Sequence, residues 1–596
     1  MPIDPLTLSV VRGSLEQITE EMDLTLKRTA FSPVISEGND LANGFYQRET
    51  GEVIVQGKWG LAIFIGIMQF TTEHVIVEAR RRGVEPGDVF LVNDPYSGGT
   101  HLMDMGMVKP FYFQGRHLLW MANRGHWPDM GGMVPGGFAA KSTEVYQEGL
   151  RIPPVKLFKR GELDEDVLRI LMTNIRVAEE RYGDFKAHLA AFSVGERRLT
   201  RLLERYGVET VLACMDELKA RSERQMRSYL AEIPDGTYEY EDFLDSDGIV
   251  NEPLRIHLAL TIRGSEAWLD FSRSSPPCRG PMNSVISTTR SACYLGFKHV
   301  FPDIPVNSGC FAPLHIEVPE TTFLNARLPR PVAGCAAEVS QRVADVVMGA
   351  LGRAAPERAQ AGIFGTVNNC SIGGTDPERG PYVAYMFNGG GYGGFAGGDG
   401  LNYGSPVISV ARSQPAELYE QRYPFRVKRF ALRDGSGGAG QWRGGLGAEI
   451  ELEFLGEEGS LAFIADRGRF GPKGLHGGAE GARTVLEVRE GESLYVPEHL
   501  TKDAGIALRA GMLFRQLTPG GGGYGDPLAR DPAAVAADVR NEYVSPAQAR
   551  DDYGVVLAAD GSVAAKATAE RRAALRRRQA RAPAGAAPID SRKAPR

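Results

Sequence analysis

Apolar residues that recur every three or four positions predict helices in several parts of the chain. Over residues 5–30, Val11, Leu15, Ile18 and Met22 fall on one helical face. Between residues 163 and 232 apolar and charged residues alternate with the same period, most clearly over 196–206 and 208–230, as is typical of amphipathic helices. Further helices are predicted over 284–300 and 338–351.

Short segments separated by polar turns predict strands on both sides of this helical part. Residues 40–125 are predicted to consist of short strands and turns, with strands at 52–56, 88–92, 105–113 and 118–123. Further strands are predicted at 238–244, 254–262 and 266–271. Residues 360–526 are rich in short strands and glycine loops. The pattern therefore predicts a multi-lobed α+β fold with mixed and antiparallel sheets, a helical insertion and many glycine-rich loops.

Composition narrows the class of protein. Of 596 residues, 43% are hydrophobic and 24% charged, which is ordinary for a globular chain. No apolar run approaches the roughly 20 residues of a membrane helix, and a net charge of −6 gives no reason to expect nucleic-acid binding. The start of the chain lacks a secretory pattern and the six cysteines are widely spaced, so we expect reduced thiols and a cytoplasmic protein.

Three residues in the polar stretch from Asn93 to Leu157 are candidate metal ligands. His101 and Asp104 are separated by two residues, and a predicted hairpin returns the chain to them at His126. Two imidazoles and a carboxylate suit Zn, Mn or Fe(II) with open positions for water or substrate. Asp129 is a possible fourth ligand or a hydrogen-bond partner of an imidazole. On spacing alone, hydrogen-bonded turn residues remain the alternative interpretation.

Four parts of the chain are predicted from these features. They are an N-terminal metal-site lobe over 1–160, a helical segment over 161–235, a C-terminal α+β region with glycine loops over 236–526, and an Ala/Arg-rich tail over 527–596. Residues 571–596 carry nine basic residues and one acid, which we interpret as a solvated, partly disordered tail with a short helix.

The glycine clusters have two possible roles. Residues 389–394 fit G-x-G-x-x-G, but no clear strand–helix unit surrounds them, and no P-loop pattern occurs in the sequence. Exposed backbone N–H groups near Asp399, Arg422, Arg433 and Arg443 would suit a phosphorylated intermediate or a carboxylate. Tight turns braced by contacts from arginine to backbone carbonyls are an equally good interpretation.

Several motifs together resemble the hydantoinase B/oxoprolinase family. The matching pieces cover about residues 5–526: Arg28-Thr29-Ala30-Phe31-Ser32-Pro33, the stretch 94–104, Asn123-Arg124-Gly125-His126, Glu148-Gly149-Leu150-Arg151-Ile152-Pro153-Pro154, residues 388–400, and Ser436-Gly437-Gly438-Ala439-Gly440-Gln441-Trp442-Arg443-Gly444-Gly445. The resemblance implies one divalent metal ion (Zn, Mn or Fe) held by His101, Asp104 and His126. It also implies that Asp129 either positions a metal ligand or has an acid–base role. Residues expected to bind the substrate or intermediate are Asp94, Tyr96, Thr100, Asn123, Arg124, Glu148, Arg151 and Asp399.

The resemblance further implies a catalytic subunit of a two-subunit, ATP-dependent enzyme. A hydantoinase A-like large subunit would use the ATP to phosphorylate the substrate, in a heteromer with paired copies of each subunit. This chain would then open a cyclic amide or imide such as a hydantoin, 5-oxoproline or a lactam. The alternatives are ATP-dependent carboxylation of a ketone, which Phe64 and Trp127 would suit, and a non-catalytic subunit that only braces its partner.

The chain departs from the family pattern at positions near these motifs. The departures are Ser97 for His, Met103 for Pro, Phe64 for His, His188 for Gln and Cys335 for Asn. They leave the substrate open, and Phe64 in place of a histidine implies either a more apolar pocket or a different site.

Overall fold

The structure is a computed structural model that describes residues 3–581. The α-helices in these residues are α1 Pro5–Thr29, α2 Pro33–Ser36, α3 Phe64–Arg82, α4 Glu165–Thr173, α5 Ala178–Tyr206, α6 Val208–Ala231, α7 Ile286–Val300, α8 Ser308–Phe311, α9 Ser340–Ala354, α10 Ala416–Arg422, α11 Pro532–Arg540, α12 Pro546–Asp551 and α13 Ala565–Arg581. The strands in the same residues are β1 Leu41–Gln47, β2 Val53–Gln56, β3 Val89–Val92, β4 Asp104–Phe113, β5 Arg116–His126, β6 Val155–Lys159, β7 Glu162–Leu163, β8 Gly236–Leu244, β9 Leu254–Arg263, β10 Glu266–Asp270, β11 Leu314–Glu317, β12 Asn369–Asp376, β13 Gly380–Met386, β14 Phe425–Leu432, β15 Ala448–Phe454, β16 Gly459–Ile464, β17 Val485–Glu490, β18 Ser493–Tyr495, β19 Lys502–Leu508 and β20 Leu513–Leu517.

These strands form four sheets. Their orders are β2-β1-β5-β4-β3-β6-β7, β11-β10-β9-β8, β13-β12-β16-β19 and β14-β15-β20-β17-β18. Neighbouring strands in the described chain are antiparallel except β10 and β11, which run parallel. Helices α4, α5 and α6 follow the first sheet as an insertion before the second. The predicted α+β class with mixed and antiparallel sheets is confirmed.

The first helix forms as its sequence predicts. Asp4 caps α1 by accepting a hydrogen bond from the backbone N–H of Thr7 at 2.8 Å. The apolar stripe that includes Val11, Leu15 and Met22 is fully buried, and α1 packs against α5 and β1. Helices α5, α6 and α7 likewise cover the segments predicted to be helical, while the segment predicted at 338–351 begins with a π-helical turn, Cys335–Val339, that leads into α9.

The prediction of strands throughout residues 40–125 is wrong for one segment. Residues Phe64–Arg82 form α3, a 19-residue helix. Its sequence is rich in Ile, Val and Thr, whose branched side chains favour strands. Burial overrides this preference, because α3 packs against α7 and the first sheet and buries Ile67, Val75 and Ala79. Tertiary packing of this kind leaves little trace in local spacing.

The glycine-rich segments pack backbone against backbone. Gly445 donates to the carbonyl of Tyr392 at 2.8 Å, and Gly521 donates to the carbonyl of Gly445 at 2.9 Å. A Cβ atom on Gly521 would lie 1.9 Å from the carbonyl oxygen of Tyr392, which no side chain permits. Arg443 donates to the carbonyl of Gly444. The glycines therefore allow close chain packing, as in the interpretation of braced turns.

More of the C-terminal part is folded than its composition predicts. Val535, Ala549 and Tyr553, from the predicted Ala/Arg-rich tail, are buried together with Ala439 of the glycine-rich part. Helix α13 follows, and residues 582–596 of the predicted tail lie outside the described residues. One hydrophobic cluster extends from Leu8 to Ala504, so the four-part division of the chain stays a prediction. Among the described residues, no helix is long and apolar enough to cross a membrane.

Candidate metal centre

The hairpin of β4 and β5 brings the predicted ligands together. Asp104 is the first residue of β4 and lies directly opposite His126, the last residue of β5, in the antiparallel register. His101 lies on the turn before β4, and its carbonyl accepts a hydrogen bond from the backbone of Asp104 at 3.4 Å. Residues that are 22 and 25 positions apart therefore meet at one end of the first sheet.

The side chains of these three residues form a compact group. The Nδ1 atom of His126 lies 3.2 Å from Oδ1 of Asp104, and Nε2 of His101 lies 3.6 Å from Oδ2 of Asp104. Each residue offers one ligand atom, and these atoms lie within 4.8 Å of one another. All three side chains are buried. The hydroxyl of Thr100 donates to Oδ2 of Asp104 and fixes that carboxylate.

The protonation states at this group suit a cation. Burial lowers the pKa of His101 to about 4, so its imidazole is neutral at neutral pH. Burial opposes ionisation of Asp104, but the neighbouring His101 and His126 outweigh it and lower the pKa of this carboxyl to about 2. A neutral imidazole and an ionised carboxylate are the forms that bind metal ions.

Several polar atoms here lack hydrogen-bond partners although they are buried. They are Nδ1 of His101, Nε2 of His126 and Oδ1 of Asp40. Buried polar groups are normally satisfied, and a missing partner calls for an explanation such as an ion. The donor set therefore fits a divalent metal ion.

A small cavity opens beside the group. Its volume is about 30 Å³, and it is lined by His101, Asp104 and His126 together with mainly apolar side chains. Phe64 lies on its wall, as do Ile408 and Tyr385. The Tyr385 ring stacks on His126 with centroids 4.6 Å apart. The walls are thus dominated by apolar and aromatic groups, in line with the expectation from Phe64.

Asp40 is a cavity residue that sequence reasoning missed. It directly precedes β1, which pairs with β5, and its carbonyl accepts a hydrogen bond from the backbone of His126 at 3.1 Å. Its Oδ2 atom lies 3.9 Å from Nδ1 of His126. Burial raises the pKa of Asp40 to about 7, with the Asp104 charge acting in the same direction and His126 opposing. Only the pairing of β1 with β5 reveals this residue, because it lies over 60 positions from Asp104 in sequence.

Three of the residues predicted to bind substrate make contacts within the protein. They are Thr100, Asn123 and Arg124. Thr100 contacts Asp104, as described above. Asn123 hydrogen-bonds with His188, and Arg124 is fully buried with its guanidinium 5.7 Å from the Phe64 ring centroid. None of the three lines the cavity. Their contribution to binding stays a prediction.

The other residues predicted to bind substrate form hydrogen bonds and ion pairs with other parts of the chain. Asp94 accepts from the backbone of Tyr96, and Arg151 lies 3.5 Å from the Asp94 carboxylate. Glu148 accepts from the backbone of residues 332 and 333, and burial raises its pKa to about 7. Asp399 pairs with Arg530. These four residues and Tyr96 are not among those lining the cavity, so their predicted role also stays untested.

Asp129 is held by four hydrogen bonds rather than placed on the cavity. It accepts from the backbone of Gly131, Gly136 and Arg176 and from the Arg176 side chain, at 2.8–3.0 Å. We expect Asp129→Asn to lower the free energy of unfolding by about 2–4 kcal/mol, since hydrogen bonds to a buried charge are lost. Urea denaturation measures this. Unchanged stability with loss of turnover would instead favour the predicted acid–base role.

Comparison with known proteins adds to this geometry. Residues 4–527 match the family model described as hydantoinase B/oxoprolinase. The caprolactamase subunit beta of Pseudomonas jessenii is 37% identical over 588 residues, which cover 96% of this chain and 99% of that protein. The crystal structure of ATP-dependent caprolactamase from the same organism has a TM-score of 0.88 at 34% identity, covering 96% of this chain and 100% of that one.

Two more distant proteins are also similar to this chain. The 5-oxoprolinase of Dictyostelium discoideum is 30% identical over 527 residues, covering 88% of this chain but 40% of that longer protein. The nucleotide-free structure of acetone carboxylase has a TM-score of 0.90 at 21% identity, covering 97% of this chain and 84% of that one. At this identity, the second likeness concerns the fold alone.

Proposed function

The chain belongs to the hydantoinase B/oxoprolinase family, and we propose that it is the metal-bearing subunit of a two-subunit, ATP-dependent enzyme that opens a cyclic amide. The observation that carries the proposal is the buried group of His101, Asp104 and His126 beside an apolar cavity. The likeness to caprolactamase and 5-oxoprolinase supports a cyclic amide as the substrate.

The chain's own residues have defined tasks in this proposal. His101, Asp104 and His126 hold the metal ion, which when bound polarises a carbonyl or activates water at neutral pH. Asp40 places a second carboxyl on the cavity, 3.9 Å from Nδ1 of His126, where its unpartnered Oδ1 can accept a proton. Phe64 and Ile408 give the cavity an apolar wall that excludes bulk water.

In this proposal a partner subunit binds the ATP. No P-loop pattern occurs in the sequence, so we assign phosphorylation of the substrate to a hydantoinase A-like large subunit, in a heteromer with paired copies of each chain. The name caprolactamase subunit beta supports such an assembly. All six cysteines are free and buried, which agrees with a reducing cytoplasmic setting.

The test uses this chain co-purified with its large subunit. ATP turnover is measured with lactams, hydantoins, 5-oxoproline and ketones, and products are identified by mass spectrometry in ¹³C-bicarbonate. We expect a cyclic amide to stimulate ATP turnover and to yield a ring-opened amino acid without ¹³C. A ketone that yields a ¹³C-labelled carboxylated product would establish a carboxylase and overturn the proposal.

The partner alone provides the matched control. If the partner without this chain released the same amino acid at the same rate, this chain would be a bracing subunit and not the site of ring opening. We expect the partner alone to hydrolyse ATP weakly and to form no ring-opened product.

A further inference from the structure

A second cavity lies next to the metal centre, between α1, the turn after β2 and the loop before α10. Its volume is about 440 Å³, and we refer to it as the α1 cavity. Asn39 and Leu41 in its wall flank Asp40 of the metal cavity, and its Arg412 follows Ala411 of that cavity. The chain segments 39–41 and 411–412 therefore lie between the two cavities, and each segment lines both.

One side of the α1 cavity carries a carboxyl group without a charge partner. Asp23 is fully buried, and its Oδ1 atom accepts a hydrogen bond from Asn43 at 2.9 Å. Its Oδ2 atom has no hydrogen-bond partner. Burial raises the pKa of Asp23 to about 7, so an arriving cation would favour its ionised form. Burying a carboxyl oxygen without a hydrogen bond costs free energy, and a ligand that pairs with the oxygen would remove this cost.

The cavity also contains two cations without partners. Neither Lys27 nor Arg412 forms a side-chain ion pair or hydrogen bond with any residue in 3–581. The other charged groups of the wall are already neutralised: Glu20 pairs with Lys58 at 3.2 Å, and Glu21 pairs with Arg198 at 2.6 Å. The unsatisfied charges are thus one carboxyl and two cations.

An apolar surface completes the cavity. Trp59 is 54% exposed and Leu24 is 42% exposed, although both are large hydrophobic residues. An exposed tryptophan in a concave site provides a flat face for a hydrocarbon chain and attracts ammonium groups through its π system.

We propose that the α1 cavity binds an amino acid in its zwitterionic form. The ammonium group faces Asp23, the carboxylate faces Lys27 and Arg412, and the carbon chain lies along Trp59 and Leu24. Both charges of the ligand then meet the unpaired charges of the wall, while its hydrocarbon part covers the exposed apolar side chains.

The inference extends the proposed function and rests on it for the source of the ligand. Hydrolysis of a cyclic amide breaks the ring C–N bond and adds the elements of water, so the product carries a free amine and a free carboxylate. At neutral pH that product is a zwitterion. The α1 cavity, adjoining the metal cavity, is placed to receive it after ring opening.

Isothermal titration calorimetry on the full chain, alone and with its large subunit, tests the proposal. The probes are 6-aminohexanoate, hexanoate, hexylamine and ε-caprolactam. We expect 6-aminohexanoate to bind at least about tenfold more tightly than each of the other three, since each lacks one or both of the charges. Equal affinity for hexylamine or hexanoate would overturn the zwitterion assignment.

Variants locate the site. We expect Asp23→Asn to weaken 6-aminohexanoate binding at least about tenfold, and the double variant Lys27→Met/Arg412→Met to do the same from the other end. None of these changes breaks a native ion pair, so folding is retained. Arg28→Met removes an exposed charge next to Lys27 on α1 that does not line the cavity, and it serves as the matched control, with binding unchanged. Full binding in both the Asp23 and the double variant would place the ligand elsewhere.

Binding and turnover measurements together show whether this inference or the proposed function fails. If the complex opened lactams but 6-aminohexanoate did not bind to the α1 cavity, only the further inference would fail. If 6-aminohexanoate bound as described but no cyclic amide were turned over, the proposed reaction would fail and the cavity would remain an amino-acid site with another source of ligand.

Discussion

Replacing His101 by alanine is expected to remove the bound metal ion and to lower lactam-stimulated product formation at least about a hundredfold. Loss of residues that merely orient metal ligands already costs about 10–100-fold in metal affinity or activity, and loss of a direct ligand costs more. His101 contributes a neutral, buried imidazole with an unpartnered nitrogen. Plasma mass spectrometry of the dialysed complex gives the metal content, and product analysis gives the rate.

A matched histidine variant keeps this experiment interpretable. His315 lies outside the site, with 44% of its side chain exposed and a contact to Glu266 at 3.1 Å. We expect His315→Ala to retain both metal and activity. Thermal unfolding adds a second measurement: added zinc or manganese should stabilise the wild type and the His315 variant but not the His101 variant. Normal metal content in His101→Ala would show that the group of three is not the metal centre.

The contact between the ends of the β4–β5 hairpin is a part of the site that the sequence predicts. Two strand-like segments with a short turn predict that residues before the first and after the second come together, and Asp104 does lie opposite His126. Local period and turn chemistry are sufficient for such a contact. The same holds for α1, whose apolar stripe defines both its helical form and its buried face.

Contacts between distant elements could not be predicted in this way. Asp40 reaches the cavity only because β1 pairs with β5, and Ile408 only because a loop about 280 residues beyond the hairpin covers the cavity. Helix α3 was missed because its branched side chains favour strands in isolation. The unpaired charges of Asp23 and Lys27 on α1 meet Arg412 from the loop before α10 in one cavity, and no spacing in the sequence indicates that this loop lies there.

The second large effect is expected at a buried charge network that joins the second sheet, α9 and the third sheet. Arg467 is fully buried and donates to Asp242 at 2.8 Å and to Asp345 at 2.6 Å. It also donates to the carbonyls of residues 363, 364 and 471. We expect Arg467→Met to lower the free energy of unfolding by about 3–5 kcal/mol, because two carboxyls and three carbonyls lose a buried partner. Urea denaturation followed by circular dichroism measures the loss.

An exposed pair provides the control for this variant. Arg509 is 66% exposed at its side chain and lies 3.7 Å from Glu490. Water screens such a pair, so we expect Arg509→Met to change the free energy of unfolding by no more than about 1 kcal/mol. Similar losses in the two variants would mean that burial of the Arg467 network adds nothing to its stabilising effect.

The pH dependence of the free energy of unfolding shows whether lost charge pairing causes the destabilisation in Arg467→Met. Burial disfavours ionisation of Asp242, but Arg467 and Arg342 outweigh it and lower the pKa of Asp242 to about 2, below the ordinary 3.8. Ionised Asp242 therefore stabilises the wild type above that ordinary value, and its contribution is lost only as the pH falls through about 2. Without Arg467 the pKa of Asp242 rises, so protonation relieves the uncompensated charge as the pH falls from 7 toward 4. The stability gap between wild type and Arg467→Met should narrow over this interval, whereas a constant gap would point to lost packing rather than lost charge.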